Sequence, residues 1–397
     1  MTISISTPAA GSWRTISAAL LTLVVLSGCG GSSSSRPAFD HATGITAVVA
    51  TVDPGYTAGA VELIALRDGP MQSSGSFHST ISDISVNSYG QHYYLIESRS
   101  LDRISKVDIT NPGVFEWRHH GYRATDTATP NLYDLVFVSD EKAYLLRYES
   151  NTAWIVDPSA TSAADFFLGE LDLSAYNAGG RHPHMSAAIL VGDRLFITLQ
   201  RLDSNWLPTA ASYVAVFDTD TDEEIDTGHN KDGLKGIPLV SRNPASIAYQ
   251  PAVGLLVQGT GEWMGWDLSG GIDRINPDNF SVTQILIGDS TFGRIEHLAL
   301  IDETTAYISA HQLYGQAHVH RIDPRSGALL GEVDAAAGRD IRALAADPLG
   351  RLWIGDAGDS TPDDPPGLRV IDPRTDQQIA FVQTQLLPTD IAFVTED

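Results

Sequence analysis

From about residue 45 onward the hydrophobic positions fall into short runs punctuated by Gly, Pro, Asp and Asn, and the runs come in families. One family reads DLVFV from Asp134, SIAYQ from Ser246, HLALI from His297 and DIAFV from Asp390. A second reads AYLLRY from Ala143, GLLVQG from Gly254, AYISAH from Ala306 and LWIGDA from Leu352. Runs this short, rich in β-branched and aromatic residues and without a 3.6-residue period, predict strands rather than helices. A third family ends each time in a turn built on Asp or Asn beside Pro or Thr: VDITNPG from Val107, IVDPSA from Ile155, VFDTDTDEE from Val216, RINPDNF from Arg274, RIDPRSG from Arg321 and VIDPRTD from Val370. The marker residues Asp108, Asp157, Asp218, Asn276, Asp323 and Asp372 recur every 47 to 61 positions, and AVELIALRDG at Ala60 to Gly69 is a degenerate seventh copy.

A period of that size with four short strands per unit predicts an all-β, seven-bladed β-propeller over residues 45–397. The chain ends in an isolated first strand, PTDIAFVTED from Pro388, whereas the N-terminal part supplies TAVVATV, AVELIAL and a weak strand near Ser73 to His78. Together these make one blade, so the ring is expected to close by pairing the two termini and to leave no free edge.

The wording of the repeat resembles the YVTN-type repeat of the quinoprotein amine dehydrogenase β-chain-like propellers, the nearest copy being ALAADPLGRLWIGDA at Ala343 to Ala357 followed by LRVIDPRTDQQIA at Leu368 to Ala380. That resemblance implies the fold and leaves function open, because such propellers host enzymes, binders and scaffolds alike. The N-terminus carries a second resemblance. Arg14 precedes an apolar run from Ile16 to Leu26, too short to span a bilayer, and LSGC at Leu26 to Cys29 resembles the lipobox of bacterial lipoproteins. It implies a signal peptide over 1–28, acylation of Cys29, and a Gly/Ser tether over 29–44; Gly30 after the Cys resembles the outer-membrane class. Cys29 is the single cysteine, so no intrachain disulfide is available.

A formal charge of −24 excludes nucleic acid as a partner, since phosphate binding rests on Lys and Arg clusters. The expected partners are the membrane through its lipid, an outer-membrane receptor or other envelope protein, and a small ligand. Arg99, Arg147, Arg201 and Arg294 fall near strand ends on the long-loop face and would suit a carboxylate, phosphate or metal chelate. Trp206, Trp263, Trp266 and Tyr314 lie in second-to-third strand loops on the same face and offer flat apolar contact, or else fold back over the blades as local core.

Aligning the first strands puts Asp390, Asp83, Asp134, Ser186, Ser246, His297 and Ala343 at one level of the channel. The carboxylates of Asp83, Asp134 and Asp390 there would suit Ca²⁺, unless they cap loops and solvate a wet channel. His182 with His184, and His318 with His320 at alternate positions on a third strand, are candidate ligands for a transition metal. The catalytic motifs GxSxG, HExxH, CxxC and the P-loop are absent from the sequence. If the protein is an enzyme of the lactonase kind, Glu262, Glu296 and His297 are the expected acid/base residues. The favoured expectation is a lipid-anchored propeller whose loop face binds an anionic or metal-chelating ligand or an envelope protein without chemistry; a scaffold subunit is the third alternative.

Overall fold

In the computed structural model the described residues are 44–395, except 68, 125, 127, 230, 263–267, 291, 292 and 360. They form seven four-stranded antiparallel sheets. The innermost strands are β4 (Ile84–Tyr89), β8 (Leu132–Ser139), β12 (Met185–Val191), β16 (Pro244–Gln250), β20 (Arg294–Leu300), β24 (Ile341–Ala346) and β28 (Leu387–Thr395). Each touches the innermost strand of the next sheet, and β28 touches both β24 and β4, so the sheets close into a ring around a channel. The expected signal peptide, Cys29 and the expected tether up to residue 43 lie outside the described residues, and no described helix is long and apolar enough to cross a membrane.

The expected closure is observed. Strand β28 pairs with β1 (Ile45–Val52) from Ile45 opposite Thr395 to Val52 opposite Leu387, followed by β2 (Gly59–Ala65) and β3 (Ser76–Thr80), so blade 1 takes its inner strand from the C-terminus. Numbering onward from there, blades 2 to 7 are each continuous in sequence. The core lies between blades rather than within them. The described residues form seven buried apolar clusters, and each spans one blade boundary: Val48, Val61, Val86 and Tyr93 between blades 1 and 2, for example, and Val49, Ile64, Trp353 and Val370 between blades 7 and 1. A sheet buried on both faces needs apolar residues at successive positions, which is why the second strands read as continuous hydrophobic runs.

The marker turns do two jobs. In all six, the Asp or Asn side chain accepts a hydrogen bond from the backbone N–H two residues on, at 2.8 Å in Asp108, Asp157, Asn276 and Asp323 and 3.0 Å in Asp218 and Asp372. In four of them, after Asp157, Asn276, Asp323 and Asp372, the next residue is a proline, which presets φ and has no N–H to strand. The same turns offer carbonyls outward to the preceding blade. Trp117 Nε1 donates to Pro158 O, Lys142 Nζ to Thr219 O, Arg194 Nη1 to Pro277 O, Arg274 Nη1 to Arg325 O and Arg321 Nη1 to Pro373 O, at 2.7 to 3.2 Å. Five successive blade boundaries are thus pinned at their outer rim by one kind of contact.

Deleting residues 387–397 removes the inner strand of blade 1 and exposes both neighbouring clusters. The expected result is loss of the cooperative melting transition of the whole ring, measured by circular dichroism; a deletion variant that melts like the parent would overturn the closure.

Candidate functional site

Six of the seven innermost strands slip register by one residue against the second strand as they enter the channel, and the extra residues are Thr389, Tyr133, Ser186, Ala245, Glu296 and Arg342. Strand β4 has no slip. A bulge releases one residue from the ladder and re-aims its side chain. Five of the six released residues, all but Ser186, line a cavity of about 580 Å³ at the loop-face mouth of the channel. That is within the range of small-molecule sites.

The slip corrects the expected ring of aligned residues. By pairing, the level is occupied by Asp390, Ser85, Asp134, Ala187, Ser246, His297 and Ala343, so the places expected for Asp83 and Ser186 belong to Ser85 and Ala187. Asp83 instead lies just before β4, exposed, with Arg99 Nε 3.7 Å from its carboxylate. The three-Asp Ca²⁺ arrangement therefore does not form. Asp134 and Asp390 share the wall of a deeper cavity of about 410 Å³. Both serve the free inner edge of the strands, where N–H groups have no ladder partner. Asp390 accepts from Val86 N and Ile391 N at 2.9 Å, and Asp134 accepts from Ala188 N at 3.1 Å, Leu135 N at 2.8 Å and Asn87 Nδ2 at 2.9 Å. Burial, with the Asp134 charge added, pushes Asp390 up to about 6 against the peptide donors.

The charged groups of the mouth come from blades 6, 7 and 1. Glu296 on its bulge accepts from His311 Nδ1 at 3.1 Å. Arg294 Nη2 lies 3.1 Å from His311 Nε2, and because a guanidinium only donates, Nε2 is the acceptor and Nδ1 carries the proton. His311 thus bridges Arg294 and Glu296, whose own distance to Arg294 is 3.9 Å. Burial would raise the Glu296 pKa, but the hydrogen bond from His311 and the nearby positive charge outweigh it, and the carboxyl sits below its ordinary value. His297, one residue on and at the ring level, is lowered by burial against the pull of Glu296 and is neutral at pH 7.

Across the mouth, Arg342 Nη1 donates to the hydroxyls of Tyr56 and Tyr314, both at 2.8 Å, and Nη2 donates to Asp340 at 2.6 Å. With their oxygens accepting from the guanidinium, both phenols keep their own O–H free to donate toward the cavity they line. Arg342 was not singled out from sequence: it precedes the aligned Ala343, and only the bulge turns it into the channel.

The other expected binding residues are dispersed. Arg147 is buried, its guanidinium committed to Gly121 O, Ser150, Thr152 and Asp126. Arg201 is buried on Tyr176 O and Ala211 O beneath the Tyr213 ring. Neither is open to a ligand, because each holds a loop to its blade. Arg99 is exposed and pairs with Glu149 at 3.2 Å. Trp206 is exposed beside His184 and Tyr148, and Trp263 and Trp266 lie outside the described residues. Glu262 does not line the cavity; its backbone carbonyl accepts from Arg294 Nη1.

His182 and His184 stand perpendicular at 6.4 Å, and His184 is buried against the rings of Tyr148 and Trp206. A further group, His92, Asp108 and Glu116, brings ligand atoms within 4.8 Å, but Lys106 Nζ lies 3.5 Å from Glu116 and supplies the positive charge.

Fold and site together define a seven-bladed propeller with a small-molecule cavity at its channel mouth. The chain is similar to a Lactobacillus plantarum protein (TM-score 0.61, 13% identity, covering 88% of this chain and 99% of that one) and to the periplasmic gluconolactonase PpgL of Pseudomonas aeruginosa (0.60, 14%, 89% and 99%). It is also similar to Kuenenia stuttgartiensis hydrazine synthase (0.55, 14%, 78% and 88%). At such identities the likeness is one of fold. No protein-family model matches the chain, and no curated protein matches it in sequence.

Asp390 gives a pH test of the channel wall. Its folded pKa, about 6, lies above the ordinary 3.8, so the folded state holds the proton more tightly, and stability falls as pH rises from about 4 to 6 and is level beyond. Asp390→Asn should lower stability at every pH, because its amide group faces a peptide donor, but should remove that slope. Urea unfolding at pH 4, 5, 6 and 7 reads it; an unchanged slope would refute the assignment.

Proposed function

We propose that the channel mouth binds a small oxygen-rich organic molecule and hydrolyses it by general base chemistry, a lactone being the substrate class that fits best. The observation that carries this reading is Glu296, released by a β-bulge into the cavity and held ionised by His311 and Arg294. Glu296 takes a proton from a water molecule, whose oxygen adds to the lactone carbonyl. The phenol O–H groups of Tyr56 and Tyr314, polarised by Arg342, receive the developing oxyanion. Collapse breaks the ring C–O bond, and the proton passes to the departing ring oxygen, giving a hydroxy acid. His297, neutral and at the cavity wall, is the second group able to move that proton. The fold likeness to a gluconolactonase supports the same substrate class.

A second reading, capture without turnover of an anionic or metal-chelating ligand, is favoured by the way Arg342 ties two exposed tyrosines across the mouth. A panel of sugar-acid and aliphatic lactones decides between them. Ring opening is expected, falling by about 10² to 10³-fold in Glu296→Gln, since a positioned base contributes on that scale. Ligand-induced stabilisation without ring opening would favour capture.

The LSGC string motivates a companion proposal: the mature protein is acylated on Cys29 and held at the outer membrane by its lipid, with a YVTN-type propeller on a Gly/Ser tether. Several acyl chains give stable anchoring where one does not. The protein is expected in the detergent phase of a phase-partitioned envelope extract and Cys29→Ser in the aqueous phase; equal partition of the two would sink the anchor.

A further inference from the structure

We propose that the outer edge of blade 6 carries a divalent transition-metal site of the Zn²⁺ class, formed by His318, His320 and Glu332 and separate from the channel. The two histidines sit on β22 (Gln316–Ile322), where Ala317 and Val319 turn into the blade core and His318 and His320 share the outward face. At about 3.4 Å per residue, alternate positions on a strand place two imidazoles about 7 Å apart at the backbone, a separation that two side chains can close around one ion. Their ring centroids are 6.2 Å apart and nearly parallel. Glu332, on β23 (Leu329–Glu332), pairs directly opposite His320, and its carboxylate lies 2.6 Å from His318 Nδ1.

All three side chains line one cavity of about 410 Å³, with Gln312, Gln316, Leu313 and Leu329 completing the wall. Two neutral imidazoles, one carboxylate and a water in the fourth position are a tetrahedral Zn²⁺ set, and the mixed nitrogen and oxygen donors select against Ca²⁺ and Mg²⁺. The exposed Leu313 and Leu329 give the site an apolar shoulder, which strengthens the attraction between the ion and its ligands. Among the described residues no lysine pairs with Glu332, whereas Lys106 pairs with Glu116.

The test is titration calorimetry of the intact, metal-stripped protein with ZnCl₂ at pH 7.5, with thermal melting in parallel. One equivalent of Zn²⁺ is expected to bind at micromolar concentration or tighter and to raise the melting temperature. The His318→Ala/His320→Ala double variant should lose both effects, and Glu332→Gln should weaken binding by about tenfold, the scale typical of groups around a metal. Because the three side chains lie on an outer face, the metal-free melting of these variants should match the parent. Should the double variant not fold, Glu332→Gln and His318→Gln carry the test. No stoichiometric heat, or Zn²⁺ binding undiminished in the double variant and therefore held elsewhere, would overturn the proposal.

Discussion

The structure depends on the burial of both faces of every blade. A four-stranded sheet of this length has no interior of its own. Tyr144 and Leu146 of blade 3 are fully buried only because Leu195, Ile197 and Leu199 of blade 4 cover them, and the same is true around the ring. Each blade therefore requires its neighbour, and the first blade requires the last, which is why the C-terminal strand has to return to Ile45–Val52. The pinning contacts at the rim follow from this. Apolar packing alone would let blades slide over one another, and a hydrogen bond from Trp117, Lys142, Arg194, Arg274 or Arg321 to the next turn fixes the angle at a stability contribution of about 1 kcal/mol apiece.

That coupling explains what the sequence discloses. The marker turns were legible because the Asx hydrogen bond admits only Asp or Asn at the same place in every copy, and four of the six add a proline that presets φ next to it. The second strands were legible because two buried faces forbid polar alternation. Blade count and terminal closure came from these features together. The fourth strands were the weak part of the pattern, and in blade 4 this strand is only Ile237–Pro238, because an outermost strand answers to solvent on one edge.

The channel level was harder to read because a bulge changes the phase of a strand without changing its composition. DLVFV and DISVN look alike, yet Asp134 follows a bulge and faces the channel, whereas Asp83 precedes a strand that has none and stays exposed. Ser186 was displaced by one position for the same reason. Arginine was misleading in the opposite sense: Arg147 and Arg201 sit where a ligand-binding collar would, but their guanidinium groups reach back to carbonyls of their own loops, a use of arginine that leaves no mark in spacing.

The bulges also account for where chemistry can reside in so constrained a ring. A residue on the ladder of an innermost strand must pack against the next blade or cap an orphan N–H, and Asp390 and Asp134 are held to the second task. A bulged residue is released from both duties, so a charged side chain there does not disturb the blade. Of the six released positions, Thr389, Ser186 and Ala245 are small and leave space, Tyr133 supplies a ring to the wall, and Glu296 and Arg342 on adjacent blades carry charge of opposite sign. Opposite charges lining one cavity would attract each other if both were free to turn. Instead each is held by its own set, Glu296 by His311 and Arg342 by Asp340, Tyr56 and Tyr314. In the proposed hydrolysis the base and the groups that receive the oxyanion are thus fixed on the walls of one cavity, as the attack of water on a small carbonyl compound requires.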